Sequence, residues 1–188
     1  GHAGAHGPLQ CWRVLPAAGV QGEVTVPGDK SVSHRTLMFG ALADGVTEAT
    51  GFLESEDCLA TLGAMQAMGV PVERPGPGQV RVHGVGLRGL RAPTTALDMG
   101  NAGTAMRLSM GLLAGQAFDS TLVGDASLTR RPMERAAAPL RKMGAVISTN
   151  NGTPPVTVHG VGKEGGRLHG VVHDLQVASA QVKSALLL

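Results

Sequence analysis

The chain has 188 residues, of which 43% are hydrophobic, 16% charged and 2% aromatic, and its formal net charge is +2 at pH 7. Scattered arginines and scarce aromatics argue against a nucleic-acid surface, because such surfaces need clustered cations and stacking rings. Two cysteines without CxxC spacing argue against a disulfide framework or a zinc site, and the lack of an apolar run of about 18 residues predicts a soluble protein of the reducing cytoplasm.

The first predicted helix follows a Gly-led turn that carries two cations. A short alternating apolar strand leads through the segment PGDKSVSHR into a helix predicted over Ser31 to Ala43. A helix N-terminus carries partial positive charge and unpaired N–H groups, so Lys30, Ser31 and Arg35 form a candidate phosphate pocket. For this motif alone, an ordinary helix start with solvated charges is an equal alternative.

An internal repeat organises the chain. Residues 67–86 recur as residues 142–162, with a Met-Gly step followed by Val-x-Val-His-Gly-Val-Gly in each copy. Each copy is predicted to contain a Gly-containing turn, a helix, a short strand, a second helix ending at Met-Gly and a hairpin of two short strands. The predicted helices are Ser31 to Ala43, Glu56 to Met68, Thr104 to Ala114, Arg131 to Met143 with Pro132 in its first turn, and Ser179 to Leu188 in a third copy.

The helix starts of the three copies share one chemical pattern. The second presents Gly103, Thr104 and Arg107, and the third presents a hydroxyl at Ser179 and a cation at Lys183. Each start therefore combines a hydroxyl with a cation about one turn away, the spacing at which side chains share a helix face. If the copies surround a common axis, these starts point towards one anionic ligand.

Other motifs carry less weight. Two G-x-G-x-x-G tracts, residues 84–89 and 160–165, do not open a helix, so they indicate turns and not a dinucleotide site. His83 and His159 end matched strands, which indicates a role in the repeat architecture. Cys58 lies near a helix start, where the pKa of its thiol is expected to fall, but it lacks a histidine partner. The paired arginines of GDASLTRRPM suit bidentate binding of phosphate or carboxylate.

Four tracts in order make the chain recognisable: PGDKSVSHR, LDMGNAGTAMRL, GDASLTRRPM and ASAQVKSALLL. Together they resemble the 5-enolpyruvylshikimate-3-phosphate synthase family over residues 22–188. The resemblance implies the α/β enolpyruvyl transferase fold, an inside-out α/β barrel of βαβαββ units in two lobes. Residues 1–22 would be a tail and crossover segment from the other lobe. Residues 23–188 would form the shikimate-phosphate-binding lobe, with two complete units and the start of a third.

The resemblance also implies a reaction. The family transfers the enolpyruvyl group of phosphoenolpyruvate to the 5-hydroxyl of shikimate 3-phosphate and releases phosphate, in the shikimate pathway of aromatic amino acid biosynthesis. It uses neither a metal nor an organic cofactor. Proton-transfer acids lie in the other lobe, which would follow Leu188. This chain alone is therefore expected to bind its substrates without turnover, and to need that lobe, from the same or another chain, as its partner.

Site residues follow from the matched motifs. By resemblance, the residues that bind shikimate 3-phosphate are Lys30, Ser31, Arg35, Ser179 and Gln181. By the same resemblance, those that bind phosphoenolpyruvate are Asn101, Gly103, Thr104, Arg131 and Lys30. The resemblance also implies that Lys30 is the catalytic residue. Arg130 is the fallback for Arg131. Ser127 stands where the better-known class has Arg, so the tract is similar to the second class, often tolerant of glyphosate. That class can carry Ala where this chain keeps Gly103.

Two other functions stay open from the sequence. One is a phosphosugar-binding module without catalysis. The other is the related enolpyruvyl transferase that acts on UDP-N-acetylglucosamine in cell-wall synthesis, although PGDKSVSHR and SAQVK favour the shikimate substrate. A ligand-free repeat scaffold would leave the matched helix starts unexplained.

Overall fold

The computed structural model describes residues 9–16, 22–27 and 30–164. They fall into two compact units, one extending to Leu90 and the other starting at Arg91. The predicted third copy, with Ser179 and Gln181, lies outside the described residues, as does the side chain of Ser31. The predicted domain boundary at residue 22 stays a prediction.

Among its described residues, unit 1 comprises one sheet and two helices. Its elements in chain order are β1 (Leu9–Pro16), β2 (Gly22–Pro27), α1 (Lys30–Leu42), β3 (Gly45–Thr50), α2 (Glu56–Ala67), β4 (Val72–Glu73) and β5 (Val80–His83). The strand order is β2-β1-β3-β5-β4, and every neighbouring pair is antiparallel. From β2 onwards, the order of elements is the predicted βαβαββ.

Unit 2 repeats the same order of elements. They are β6 (Leu97–Asp98), α3 (Gly103–Ala114), β7 (Ser120–Val123), α4 (Glu134–Lys142), β8 (Val146–Asn150) and β9 (Thr153–His159), with 3-10 turns at Leu128–Arg130 and Val161–Glu164. The strand order is β6-β7-β9-β8, with β6 and β7 parallel and the other pairs antiparallel. In unit 1, β1 lies between the two equivalent strands, β2 and β3.

Methionine and branched aliphatic side chains fill both cores, as the scarcity of aromatics predicts. In unit 1, Leu37, Met65 and Met68 are fully buried. In unit 2, the fully buried large side chains are Met99, Met106, Met110, Leu113, Leu122, Leu128 and Met133. The methionines therefore fill cores, where their flexible side chains adapt to irregular space.

The start of α4 differs from its prediction. The helix was predicted from Arg131, but Leu128–Arg130 form a 3-10 turn, Arg131 is extended at φ −84° and ψ 137°, and α4 begins at Glu134. The physical reason is Pro132, because a residue before proline is driven out of the helical region. Arg131 thereby leaves the helix and lies at the end of a loop.

Two repeat-equivalent glycines allow close passage past the end of a helix. A Cβ at Gly84, after β5, would overlap the carbonyl oxygen of Ala43 and lie 2.7 Å from that of Gly40. A Cβ at Gly160, after β9, would likewise overlap the carbonyl oxygen of Gln116. The recurring Val-His-Gly tract therefore ends on glycine because no side chain fits there.

We expect Gly84→Ala to lower the free energy of unfolding of unit 1 by about 3 kcal/mol or more, because the obstacle is backbone that cannot move away cheaply. Gly63→Ala is the matched control, since a Cβ there meets nothing within 4 Å on α2. It should raise stability by about 0.5–1 kcal/mol. Urea unfolding, monitored by the fluorescence of Trp12 on β1, measures the change in the free energy of unfolding for both variants. Equal effects would contradict this role of Gly84.

Candidate functional site

A cation of unit 1 lies at the N-terminus of α1. Lys30 is the first residue of this helix, and its Nζ lies 3.0 Å from Oδ2 of Asp57 in the first turn of α2. The Lys30 side chain is 59% exposed and that of Asp57 17% exposed. Ser55 caps α2 by accepting a hydrogen bond from the N–H of Cys58 at 3.2 Å. The ammonium group is thus placed by a capped neighbouring helix and remains open to a ligand.

A buried histidine joins the same two helices one turn further in. His34 is 2% exposed, and its Nδ1 lies 2.8 Å from Oγ1 of Thr61. The Thr61 hydroxyl donates to the carbonyl of Asp57 at 3.3 Å, so it accepts from the N–H at Nδ1 of His34. Lys30 and His34 on α1, and Asp57 and Thr61 on α2, are each four residues apart and therefore face each other in register.

This histidine predicts a pH dependence of stability. Burial lowers the pKa of His34, and Lys30 lowers it further, while Asp57 raises it by less than burial lowers it. The unfolded chain therefore takes up a proton near the usual pKa of about 6.5 at which the folded chain stays neutral. The free energy of unfolding should fall as the pH falls from about 7 to about 5, with a limiting slope of about 1.4 kcal/mol per pH unit.

The measurement compares wild type with His34→Asn, whose Nδ2 can replace the hydrogen bond to Thr61 without titrating. Urea unfolding at several pH values, followed by Trp12 fluorescence, should show a steeper loss of stability for wild type. The other histidines are the same in both proteins, so the difference between the two slopes reports on His34. Equal pH slopes in the two proteins would refute this explanation.

Arg35 and Cys58, two further residues of unit 1, differ in their exposure to solvent. Arg35 is exposed on α1, as a ligand-binding cation must be. Cys58 is a free, buried thiol, and burial raises its pKa, with Ser55 and Lys30 opposing the rise only in part. The expected fall in the pKa of Cys58 is therefore wrong, because burial outweighs its position in the first turn of α2.

Two loops of unit 2 leave the same edge of a sheet. β6 and β7 are parallel, so the loops that follow them start side by side. The N–H of Asp125 donates to the carbonyl of Gly100 at 2.8 Å, and Oδ1 of Asp98 accepts from the N–H of Gly100 at 2.9 Å. Gly100 adopts φ 59°, a left-handed conformation that glycine adopts without strain. The hydrogen bond from Asp125 to Gly100 joins the two loops.

Side chains from these loops form a chain of polar contacts. Nδ2 of Asn101 donates to Oδ1 and Oδ2 of Asp125 at 3.0 and 3.1 Å. Oδ1 of Asn101 accepts from Nη2 of Arg131 at 2.8 Å. Hydrogen bonds from the backbone N–H of Leu128 and from the amide of Asn101 hold the pKa of Asp125 below its usual range. The structure thus brings together Asn101 and Arg131, which the sequence separates by thirty residues.

Two guanidinium groups meet at the N-terminus of α3. A Cβ added to Gly103 would lie 3.1 Å from Nη1 of Arg131, and 3.6 and 3.7 Å from Nη2 and Nη1 of Arg107. Thr104 is exposed beside them. Among residues 30–164, neither arginine pairs with a carboxylate within 4.0 Å. Two cations at the positive end of a helix, neither in a direct ion pair among these residues, form an arrangement that suits an anion.

The paired arginines Arg130 and Arg131 have different surroundings. Arg131, and not Arg130, contacts Asn101 and approaches Gly103. The nearby carboxylate of Glu134 pairs with Arg141, at 2.5 Å. Arg107 was noted in the helix pattern but not assigned to the site. Its spacing of four residues from Gly103 is the signal that points to it.

The part of the chain that the structure describes contains neither a metal-binding cluster nor a membrane-spanning helix. Within it, no group of three or more His, Cys, Asp or Glu side chains is arranged to hold a metal ion. The same residues contain no helix with the length and apolar character needed to cross a bilayer.

Comparison with known proteins gives consistent matches. The family model for EPSP synthase (3-phosphoshikimate 1-carboxyvinyltransferase) matches residues 14–188. The 3-phosphoshikimate 1-carboxyvinyltransferase of Methylococcus capsulatus is 59% identical over 174 residues, which cover 92% of this chain. That of Alkalilimnicola ehrlichii is 59% identical over 178 residues, or 94% of the chain. The chain spans about 39% of the length of these curated relatives.

Solved structures agree with the sequence matches. A 2.37 Å structure of EPSP synthase from Acinetobacter baumannii is similar with a TM-score of 0.68 and 55% identity. The match covers 82% of this chain and 35% of that one. A second structure of EPSP synthase from the same organism gives a TM-score of 0.68 at 56% identity, covering 80% of this chain and 35% of that chain.

Proposed function

The chain belongs to the EPSP synthase family, and on this basis we propose that it forms a substrate-binding part of a 3-phosphoshikimate 1-carboxyvinyltransferase. It has part of the enolpyruvyl transferase fold, including two of its βαβαββ units. The proposed reaction transfers the enolpyruvyl group of phosphoenolpyruvate to the 5-hydroxyl of shikimate 3-phosphate and releases phosphate, a step of aromatic amino acid biosynthesis.

The observation that carries the proposal is the arginine cluster of unit 2. Phosphoenolpyruvate carries a phosphate and a carboxylate, and each suits a guanidinium fork. Arg131 and Arg107 place two such forks beside Gly103, at the N-terminus of α3. The absent Cβ leaves room for these guanidinium groups beside the backbone. We therefore assign phosphoenolpyruvate to Asn101, Gly103, Thr104 and Arg131.

Shikimate 3-phosphate is assigned to unit 1. Lys30 and Arg35 are exposed cations on the first two turns of α1, and a helix N-terminus favours phosphate. Ser31, Ser179 and Gln181 complete the proposed set by resemblance. The expectation that Lys30 also reaches phosphoenolpyruvate, as the catalytic residue, stays a prediction.

These residues contribute electrostatic stabilisation. Fixed guanidinium and ammonium groups neutralise charge on two anionic substrates and on the phosphate that leaves, and such positioned charges stabilise a transition state by several kcal/mol. We assign no general acid or base to units 1 and 2 as described. We propose that a further part of the enzyme supplies proton transfer, and that the enzyme works in the cytoplasm.

Growth of a bacterium tests the proposal. We define a chimera in which this chain replaces the matching 174-residue segment of the Methylococcus capsulatus relative. A strain that lacks its own 3-phosphoshikimate 1-carboxyvinyltransferase requires added aromatic amino acids. The chimera should restore growth without them, and its Arg131→Ala variant should not. Failure of a folded chimera where the intact relative succeeds would contradict the proposal and favour a binding module without catalysis.

A further inference from the structure

We propose that Asp125 is a positioning residue: its carboxylate fixes the side-chain amide of Asn101, and this amide holds the Arg131 guanidinium beside Gly103. The link to phosphoenolpyruvate rests on the function proposed above. Neither the family match nor the sequence motifs assign a role to Asp125 in binding. The contacts run from Asp125 to Asn101 at 3.0 and 3.1 Å, and from Asn101 to Arg131 at 2.8 Å.

The chemistry of the three groups fixes the direction of the contacts. An ionised carboxylate can only accept hydrogen bonds and a guanidinium can only donate them. An amide does both, through different atoms. When Asp125 binds the NH₂ group of Asn101, the amide oxygen must point away from it, and this oxygen is the atom that accepts from Arg131. Without the carboxylate, either end of the amide can face the guanidinium, and one end repels it.

The carboxylate is itself held in place from the backbone. Oδ1 of Asp125 accepts from the N–H of Leu128 at 2.8 Å, and the N–H of Asp125 donates to the carbonyl of Gly100. A Cβ on Gly124 would lie 2.8 Å from the same carbonyl of Gly100 and 2.7 Å from Cγ of Leu128, so the loop is tightly packed before Asp125. The carboxylate therefore has a fixed location from which to orient the amide.

The consequence lies at the N-terminus of α3. Nη1 of Arg131 is 3.1 Å from the position that a Cβ of Gly103 would take, and Arg107 approaches the same point. Two guanidinium groups repel each other, so other contacts must hold them close together. The amide oxygen of Asn101 holds Arg131 there before an anion binds, which lowers the ordering cost of binding.

The first test uses the 188-residue chain and nuclear magnetic resonance. In wild type, the two Nη nitrogens of Arg131 should give separate signals at low temperature, because the hydrogen bond to Asn101 slows rotation of the guanidinium. Arg131→Lys assigns those signals by removing them. Asp125→Ala should merge the two signals, whereas Asp98→Asn, which changes a neighbouring carboxylate that binds Gly100, should leave them separate. Separate signals in Asp125→Ala would overturn the proposal.

The second test uses the kinetics of the chimera. Asp125→Ala should raise the KM for phosphoenolpyruvate about tenfold and leave the KM for shikimate 3-phosphate within about twofold. Asp125→Asn keeps an acceptor for the N–H of Leu128 and should show part of the same effect. In an Asn101→Ala background, Asp125→Ala should add less than about twofold, because the path to Arg131 is already broken.

The outcomes separate the two proposals. Additive effects of Asp125→Ala and Asn101→Ala on the KM for phosphoenolpyruvate, or equal changes in both KM values, would show a merely structural role and overturn the inference. An inactive, folded chimera would contradict the proposed function, and the Arg131 signals of the 188-residue chain would still decide whether Asp125 positions this guanidinium.

Discussion

Replacing Arg131 by alanine should lower kcat/KM for phosphoenolpyruvate in the chimera by about 100-fold or more, equivalent to about 2.7 kcal/mol. The side chain supplies charge-assisted hydrogen bonds beside Gly103, next to the guanidinium of Arg107. Arg131→Lys should recover only part of the loss, because lysine keeps the charge without the planar fork. Steady-state rates at varied phosphoenolpyruvate concentrations measure both effects.

Arg130→Ala is the matched control. Arg130 is adjacent in sequence and carries the same charge, but it lies exposed on the 3-10 turn and forms no hydrogen bond with Asn101 among the described contacts. Its loss should change kcat/KM by less than about threefold, as expected for a screened surface charge. A larger effect for Arg130→Ala than for Arg131→Ala would mean that Arg130, and not Arg131, binds the ligand.

Replacing Lys30 by alanine is expected to weaken binding of shikimate 3-phosphate to the chimera by about 30-fold or more, through loss of an ammonium group at the N-terminus of α1. Because Lys30 pairs with Asp57, its removal also leaves that carboxylate to repel an anionic ligand. Both effects act in the same direction. Isothermal titration calorimetry with shikimate 3-phosphate measures the change in affinity.

Lys142→Ala provides the control, since Lys142 is an exposed lysine near the end of α4 in unit 2. It should leave the affinity for shikimate 3-phosphate within about twofold. Titration with shikimate, which lacks the phosphate, should show little difference between wild type and Lys30→Ala. Unchanged affinity for shikimate 3-phosphate in a folded Lys30→Ala variant would remove Lys30 from the site.

Much of the fold was predictable because the chain repeats itself. The two copies of Met-Gly and Val-x-Val-His-Gly fixed the ends of helices and hairpins, and the bounds of α1, α2 and α3 agree with prediction to within one residue. Strand β1 was missed. Its partners are β2 and β3, and its pairing with Glu48 and Thr50 depends on contacts far along the chain, which local patterns do not reveal.

The residue types of the candidate site could be proposed from the sequence, but their contacts could not. The helix-start pattern pointed to Lys30, Gly103 and Arg107, whose chemistry is local. The link from Asp125 through Asn101 to Arg131 spans two loops, and it exists because β6 and β7 are parallel neighbours. Burial likewise arises from tertiary structure, which is why position in the helix gave the wrong direction for the pKa of Cys58.

Phosphate release by the purified chimera tests the proposed function most directly. With shikimate 3-phosphate and phosphoenolpyruvate together, it should release phosphate at a rate within about tenfold of the intact Methylococcus capsulatus relative. Either substrate alone, or UDP-N-acetylglucosamine in place of shikimate 3-phosphate, should give only background. No release from a folded chimera that binds both substrates, or equal release with UDP-N-acetylglucosamine, would contradict the assignment.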